Sequence, residues 1–303
     1  MLDSRTEVAQ GQLAIADHHT GPRKSYLSKA VRFLGRANEY CRELGFATGM
    51  RWYCAKVLTR LPIGGPSRVN VKPPDLAYPV AVRMFPSSDD FVFDQLFVRR
   101  EYAPVCRRIK DPKFILDLGA NVGFASAIFA SRYPSAKILA VEPDPGNYQV
   151  CLRNLAPYGD RIRVLLGAVW AKSTQLALAR GNFCDGREWA TRVGEAAPGN
   201  PADVQAWDVA TLLNLAGQSQ VDLVKIDIEG SEAEVFAAET GRWLPMVRNL
   251  CIELHDEKCR EIFFRALAGF EYEIEEHGEY TFCFNLRPAS STTTGNPLGA
   301  FSQ

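Results

Sequence analysis

Phe114-Ile-Leu-Asp-Leu-Gly-Ala-Asn-Val-Gly123 is the stretch on which the fold is decided. An apolar run ends in an aspartate, passes two glycines and enters Ser126-Ala-Ile-Phe-Ala-Ser-Arg-Tyr133, whose spacing is helical. A buried strand, a tight turn and a helix in that order place residues 117–123 at the carboxyl edge of a sheet, where open α/β folds bind ligands. A pyrophosphate loop would require G-x-G-x-x-G, but counted from Gly119 the second and third positions hold Asn121 and Phe124. The dinucleotide fingerprint therefore fails. Asparagine tolerates positive φ, so Asn121 can make the turn without glycine. Asp117 would repel a pyrophosphate and suit a cation or an ammonium group.

Outward from this loop, AKILAVE, IRVLLGAV, VDLVKIDIE and NLCIELH repeat the buried-strand pattern, separated by helical stretches such as NYQVCLRNL and AEVFAAETGRWL. That alternation predicts a mostly parallel sheet with helices on both faces. EYEIEEHGEYTFCFNLRP reads as two strands around His277-Gly278, an antiparallel hairpin that closes the sheet. Upstream, V-N-V and Y-P-V-A-V-R-M-F flank the turn-forming K-P-P-D and predict a second hairpin. From Tyr26 to Leu61 apolar residues recur at helical spacing, giving two helices split near Gly45. The organisation expected is a mobile segment over 1–24, a basic helical extension over 25–61, a hairpin and helix over 62–110, the α/β domain over 111–288 and a disordered tail over 289–303.

The chain has 303 residues with 35 Lys+Arg against 35 Asp+Glu, and zero net charge argues against a dedicated nucleic-acid partner. Residues 23–60 carry nine Arg/Lys and two Glu, 9 − 2 = +7, a surplus that suits peripheral association with an anionic membrane surface. Eight cysteines without a C-x-x-C pair, with only four histidines, do not make a zinc cluster and read as reduced thiols. Neither a signal peptide nor an uncharged apolar run of about 18 residues is present, so a soluble cytoplasmic protein is expected. The Gly/Pro/Ala-rich stretch 181–203 fits either a lid, with Arg187 and Trp189 as acceptor contacts, or a plain surface insertion.

The carboxylates at the strand ends carry the chemistry. Glu142 closes the second strand, followed by Pro143, and lies where an acidic side chain accepts hydrogen bonds from both hydroxyls of a ribose. Asp144-Pro145 is a helix start. The fourth strand ends in Asp227 and Glu229, which the parallel arrangement turns toward the same crevice. Ser231 with Glu234 fits a capping box. The fifth strand ends in Glu253 and His255, on one side of the chain because i and i+2 share a face. A neutral His255 would suit the removal of a proton from an acceptor, with Asp227 and Glu229 orienting it. Asp227, Glu229, Glu253 and His255 could instead gather Mg or Mn; the reading adopted is metal-free.

The motifs DLGANVG, VEPDPGNYQVCLRN, GAVW and VDLVKIDIEGSEAEVF together resemble the FkbM-type family of S-adenosylmethionine-dependent methyltransferases, over roughly Pro79 to Pro288. The resemblance implies a Rossmann-like class I methyltransferase sheet and S-adenosylmethionine as cofactor. On that basis Asp117, Gly119, Ala120, Asn121 and Gly123 would hold its methionine end, Glu142 with Pro143 the ribose, and Gly167-Ala168 the adenine. Arg83, Ser88, Asp89 and Tyr102 occupy recurring positions of the family's upstream segment, and Arg83, Ser88 and Asp89, with Glu253, are candidates for contact with the acceptor. The resemblance also implies a hydroxyl acceptor on a sugar, glycan or secondary metabolite. Two alternatives remain at this point: a nicotinamide-dependent oxidoreductase on a related sheet, and a binding protein that keeps the fold without turnover.

Overall fold

The computed structural model describes residues 35–62, 64–179, 192–194 and 203–290. Runs of Ile, Leu and Val form strands because their branched side chains pack against both faces of a pleated sheet. The hairpin strands β1 (Arg68–Val71) and β2 (Val80–Arg83) pair antiparallel as expected. They are followed by β3 (Phe114–Leu118), β4 (Lys137–Glu142), β5 (Ile162–Leu166), β6 (Ala168–Val169), β7 (Thr174–Ala179), β8 (Arg192–Gly194), β9 (Val204–Trp207), β10 (Leu223–Ile226), β11 (Leu250–Glu253), β12 (Phe270–His277) and β13 (Tyr280–Pro288). The helices are α1 (35–44), α2 (Phe46–Leu58), α3 (Asp89–Phe93), α4 (Ala103–Arg108), α5 (Phe124–Arg132), α6 (Pro145–Leu155), α7 (Val209–Leu215), α8 (Glu232–Ala237) and α9 (Glu257–Ala266).

Seven strands make the main sheet in the order β12-β13-β11-β10-β3-β4-β5. The pairs among β11, β10, β3, β4 and β5 are all parallel, and β13 alone runs against them. This is the Rossmann-like class I methyltransferase sheet with its antiparallel closing hairpin. Chain order runs outward from β3 in one direction through β4 and β5, then in the other through β10 and β11. The switch of direction between β3 and β10 leaves a crevice at their carboxyl ends.

Alternation along the strands divides the core in two. Ile115, Ile138 and Ala140 face a cluster that includes Trp52, Phe93, Phe124 and Phe129, whereas Leu116, Leu139 and Val141 face one with Leu212, Phe236 and Phe263. Helices α5 and α6 with the N-terminal segment cover the first face, and α7, α8 and α9 cover the second. The helical extension thus shares a core with the sheet. α1 and α2 are separated at Gly45, whose φ of 80° breaks the helix as the sequence predicts.

The expected single strand through IRVLLGAV is two. Gly167 separates β5 from β6, and β6 leaves the main sheet to join a small one in the order β6-β9-β7-β8. A Cβ at Gly167 would lie 2.1 Å from the Trp207 ring, so this crossing requires glycine. The capping box at Ser231 is not formed: its side chain caps nothing. Glu232 Oε1 instead accepts from the Ile228 backbone N–H at 2.9 Å. Asp144 does cap α6, accepting from Asn147 N at 2.9 Å, with Pro145 at the first helical position. Within the basic extension, Lys56 is buried and pairs with Asp94 at 2.5 Å and Asp90 at 3.2 Å, while Arg60 pairs with Asp90. These two cations are neutralised internally. No helix among the described residues is long and apolar enough to cross a membrane. The expectations for residues 1–24, for Arg187 and Trp189 and for the tail beyond residue 290 lie outside the described residues.

Candidate active site

The loop after β3 is shaped by close backbone approach. Gly119 has a φ of 78°, and a Cβ there would stand 1.7 Å from the Asp227 carbonyl oxygen. The loop is anchored from the other side by Gly119 N and Ala120 N, which donate to Val141 O at 3.0 and 2.9 Å. Asn121 takes the positive φ expected of it, at 50°, and Gly123 at 83° starts α5.

Two adjoining cavities open at the switch point and share Gly119, Asn121, Asp227 and Glu229. The first lies over β3 and β4 and adds Glu142, Pro143, Asn147, Gly167 and Ala168. Glu142 is buried, with Oε2 accepting from Asn121 N at 2.8 Å and Oε1 from Asp144 N at 2.9 Å. Burial pushes its carboxyl up to about 7, against the pull of those backbone donors. The second cavity lies over β10, β11 and β13 and adds Ala120, Tyr102, Lys225, Glu253, Glu279 and Tyr280 among its walls. One side of it is a π-helical turn, Asp94–Val98, from which Gln95 reaches Glu279 at 2.6 Å.

Asp117, Gly123, His255, Arg83, Ser88 and Asp89 line neither cavity. Asp117 is fully buried beneath the loop, where Oδ2 accepts from Ser126 Oγ at 2.6 Å and Oδ1 lies 3.4 Å from Lys225 Nζ. Its cation is therefore internal, which corrects the expectation that it meets a ligand's ammonium group. Lys225 faces Asp117 across the β3–β10 pairing and also donates to Gly119 O at 2.5 Å and lies 3.6 Å from Asp227 Oδ2. Burial opposes its charge, but Asp117 and Asp227 outweigh that and hold its pKa above the usual lysine value. Arg83 grips Asp89 with Nε and Nη2 at 2.9 and 2.7 Å and reaches Asn147 Oδ1 at 2.6 Å. Ser88 is buried at the start of α3. Arg83 and Asp89 brace the wall behind Glu142 through Asn147, and none of the three lines the second cavity, whereas Tyr102 does, packed at 5.0 Å from Tyr280.

Asp227 directly follows β10 and its Oδ2 accepts from Tyr280 OH at 3.0 Å. His255 lies among three carboxylates: Nδ1 is 3.2 Å from Glu232, and Nε2 is 3.4 Å from Glu229 and 3.6 Å from Glu253. Burial alone would lower its pKa, but the facing carboxylates, Glu229 and Glu232 first, push it up to about 11. The facing carboxylates favour the charged imidazole, the opposite of the neutral form expected of a base. Burial raises Glu253, reinforced by the charge of Asp227, and burial raises Glu229 as well.

Sequence reasoning missed Lys225, Glu232, Asn147 and Tyr280. Lys225 had a visible signal, a lone cation within the buried run VDLVKIDIE. Glu232 had none, because its role depends on an approach between α8 and the end of β11.

Residues 117–280 match the family described as the methyltransferase FkbM domain. The chain is 28% identical over 200 residues to methyltransferase sdnD of Sordaria araneosa, covering 54% of this chain and 73% of that protein. It is 27% identical over 141 residues to the 2-O-methyltransferase NoeI of Sinorhizobium fredii, covering 42% of this chain and 58% of that one. Among solved structures, methyltransferase FkbM from Methylobacillus flagellatus aligns with a TM-score of 0.43 at 16% identity, over 58% of this chain and 44% of that one.

Proposed function

This chain belongs to the FkbM methyltransferase family, and we propose that it transfers a methyl group from S-adenosylmethionine to a hydroxyl of a sugar, glycan or secondary metabolite. The observation that carries this reading is the pair of adjoining cavities that meet at Asp227 and Glu229, one walled by Glu142 and the other by carboxylates and tyrosines.

The first cavity suits the cofactor. Glu142 would hold the ribose hydroxyls, Gly167 and Ala168 the adenine, and the loop from Gly119 to Asn121 the amino-acid end. Gly119 leaves no room for a side chain between loop and β10, so the loop backbone itself forms the floor. The cofactor supplies a methyl group already activated by a sulfonium.

The protein's task is then to align an oxygen and take its proton. Asp227 and Glu229 stand at the border of both cavities, and Glu253 faces the second. A carboxylate there, rather than the protonated His255, takes the proton. Tyr102, Tyr280 and Gln95 offer hydroxyl, ring and amide contacts that suit a polyhydroxylated acceptor. The name of NoeI as a 2-O-methyltransferase supports oxygen as the accepting atom. The test is incubation with methyl-labelled S-adenosylmethionine and a panel of glycans and hydroxylated metabolites, with products mapped by mass spectrometry. Label on oxygen agrees with the proposal; label only on nitrogen or carbon overturns the hydroxyl assignment.

A further inference from the structure

We propose that Asp227, Glu229 and His255 form a site for a divalent cation of the Mg or Mn class, on which the acceptor hydroxyl is held. The inference rests on the methyltransferase reading above and extends it to the means by which the acceptor is activated.

One ligand atom from each of these three residues lies within 4.8 Å of the others. Bonds of about 2.1 Å to a common ion place ligand atoms roughly 3.0 to 4.2 Å apart, so small rotations of two carboxylates close the set. The elements that supply it are adjacent: Asp227 directly follows β10, Glu229 comes two residues later, and β11 runs beside β10 and leads to His255. Oxygen donors with one imidazole suit Mg or Mn.

The histidine is held for this role by a residue outside the ligand set. Glu232 is fully buried, its Oε1 accepts from the Ile228 N–H at 2.9 Å, and the same oxygen lies 3.2 Å from His255 Nδ1, close by but without hydrogen-bond geometry. A carboxylate behind one ring nitrogen, with the other turned to the site, is the arrangement that orients metal-binding histidines. Here Nε2 is the nitrogen turned toward Glu229 and Glu253. The Glu232 side chain is 0% exposed, and its second oxygen, Oε2, has no hydrogen-bond partner. Formal charges point the same way. With Glu253 left neutral, Asp117, Asp227, Glu229 and Glu232 bring −4 and Lys225 brings +1, so −4 + 1 = −3 remains beside the crevice. A proton on His255 and a divalent ion are alternative occupants of this basket, and the experiment decides between them.

The place of the site fits the reaction. Asp227 and Glu229 border both cavities, so an ion there stands between cofactor and acceptor. A lone pair of the acceptor oxygen forms the new bond to the methyl carbon as the carbon–sulfur bond breaks, and that electron pair stays on sulfur. The proton of the hydroxyl, made more acidic by the ion, passes to water.

The test is titration of the full chain, freed of metal by EDTA and dialysis, with MnCl2, followed by the electron paramagnetic resonance of free Mn. One Mn per chain is expected in the micromolar to submillimolar range. Binding should weaken at least tenfold in His255→Gln and in Glu229→Gln, each checked for fold by circular dichroism, so that a failure of one variant to fold leaves the other. No Mn bound at millimolar concentration, or equal binding by the folded variants, overturns the proposal. S-adenosylmethionine binding is measured in parallel. Cofactor binding and EDTA-resistant turnover would remove the ion and leave the methyltransferase reading intact, whereas loss of cofactor binding in the parent would strike that reading itself.

Discussion

The two sides of the switch-point crevice are built differently. Over β3 and β4 the site is made by backbone: Gly119 and Ala120 hang from Val141, and Glu142 is held by the amides of Asn121 and Asp144. Over β10 and β11 it is made by side chains, with His255 among Glu229, Glu232 and Glu253 and with several carboxyls raised by burial. A backbone site binds the same cofactor whatever the acceptor, while a charged side-chain site is costly to bury unless a ligand or ion completes it. The contrast supports the proposal that the first side takes the cofactor and the second carries the chemistry.

The largest effect that can break this comparison is expected at Asp227. Asp227→Asn should lower single-turnover rate by about 10² to 10⁴-fold, the usual range for lost acid–base help, with cofactor affinity changed far less. A loss confined to cofactor affinity would erase the division between the two sides. Next in size is Lys225, which ties them together through Asp117, Gly119 and Asp227. Lys225→Met should destabilise the protein by about 3 to 5 kcal/mol in urea denaturation, because it strands buried carboxylates. Adding Asp117→Asn should recover part of that loss, and a double variant no more stable than the single one would show that the pair is not coupled.

A smaller effect sharpens the cofactor side. The Glu142 carboxyl is raised to about 7, mainly by burial, so below that pH it is largely neutral and a poorer acceptor. Affinity for S-adenosylmethionine should therefore climb as pH rises from about 6 to 8, and Glu142→Gln should flatten the climb. The same slope in parent and variant would assign it to another group. The smallest effect is at Ser231, which starts α8 without a side-chain bond. Ser231→Ala should cost less than about 0.5 kcal/mol in thermal or urea unfolding, where loss of a formed cap typically costs about 1.

The same contrast explains how much could be read from sequence. The β3 loop was legible because its constraints are local: Gly119, Asn121 and Gly123 all take positive φ, and residue types with that tolerance are few. Glu142 was legible from its place at a strand end. Asp117 was misplaced because strand pairing, not spacing, brings Lys225 beneath it. Arg83 and Asp89 were also misread, since their partner Asn147 lies far along the chain. The protonated state of His255 depends on Glu232, whose approach belongs to tertiary packing of α8. The split of β5 from β6 could not be foreseen either, because the apolar run continues through Gly167 and only the Trp207 ring explains the break.

The assignment of the β3–β4 side to the cofactor is the claim on which the rest depends, and isothermal titration calorimetry tests it most directly. With S-adenosylmethionine, NAD and NADP titrated into the parent and into Glu142→Ala, only S-adenosylmethionine should bind the parent. The variant should bind it about 10 to 100-fold more weakly, the equivalent of roughly 1.5 to 3 kcal/mol for charge-assisted hydrogen bonds. Equal affinity in parent and variant, or heat from a nicotinamide dinucleotide and none from S-adenosylmethionine, would contradict the account.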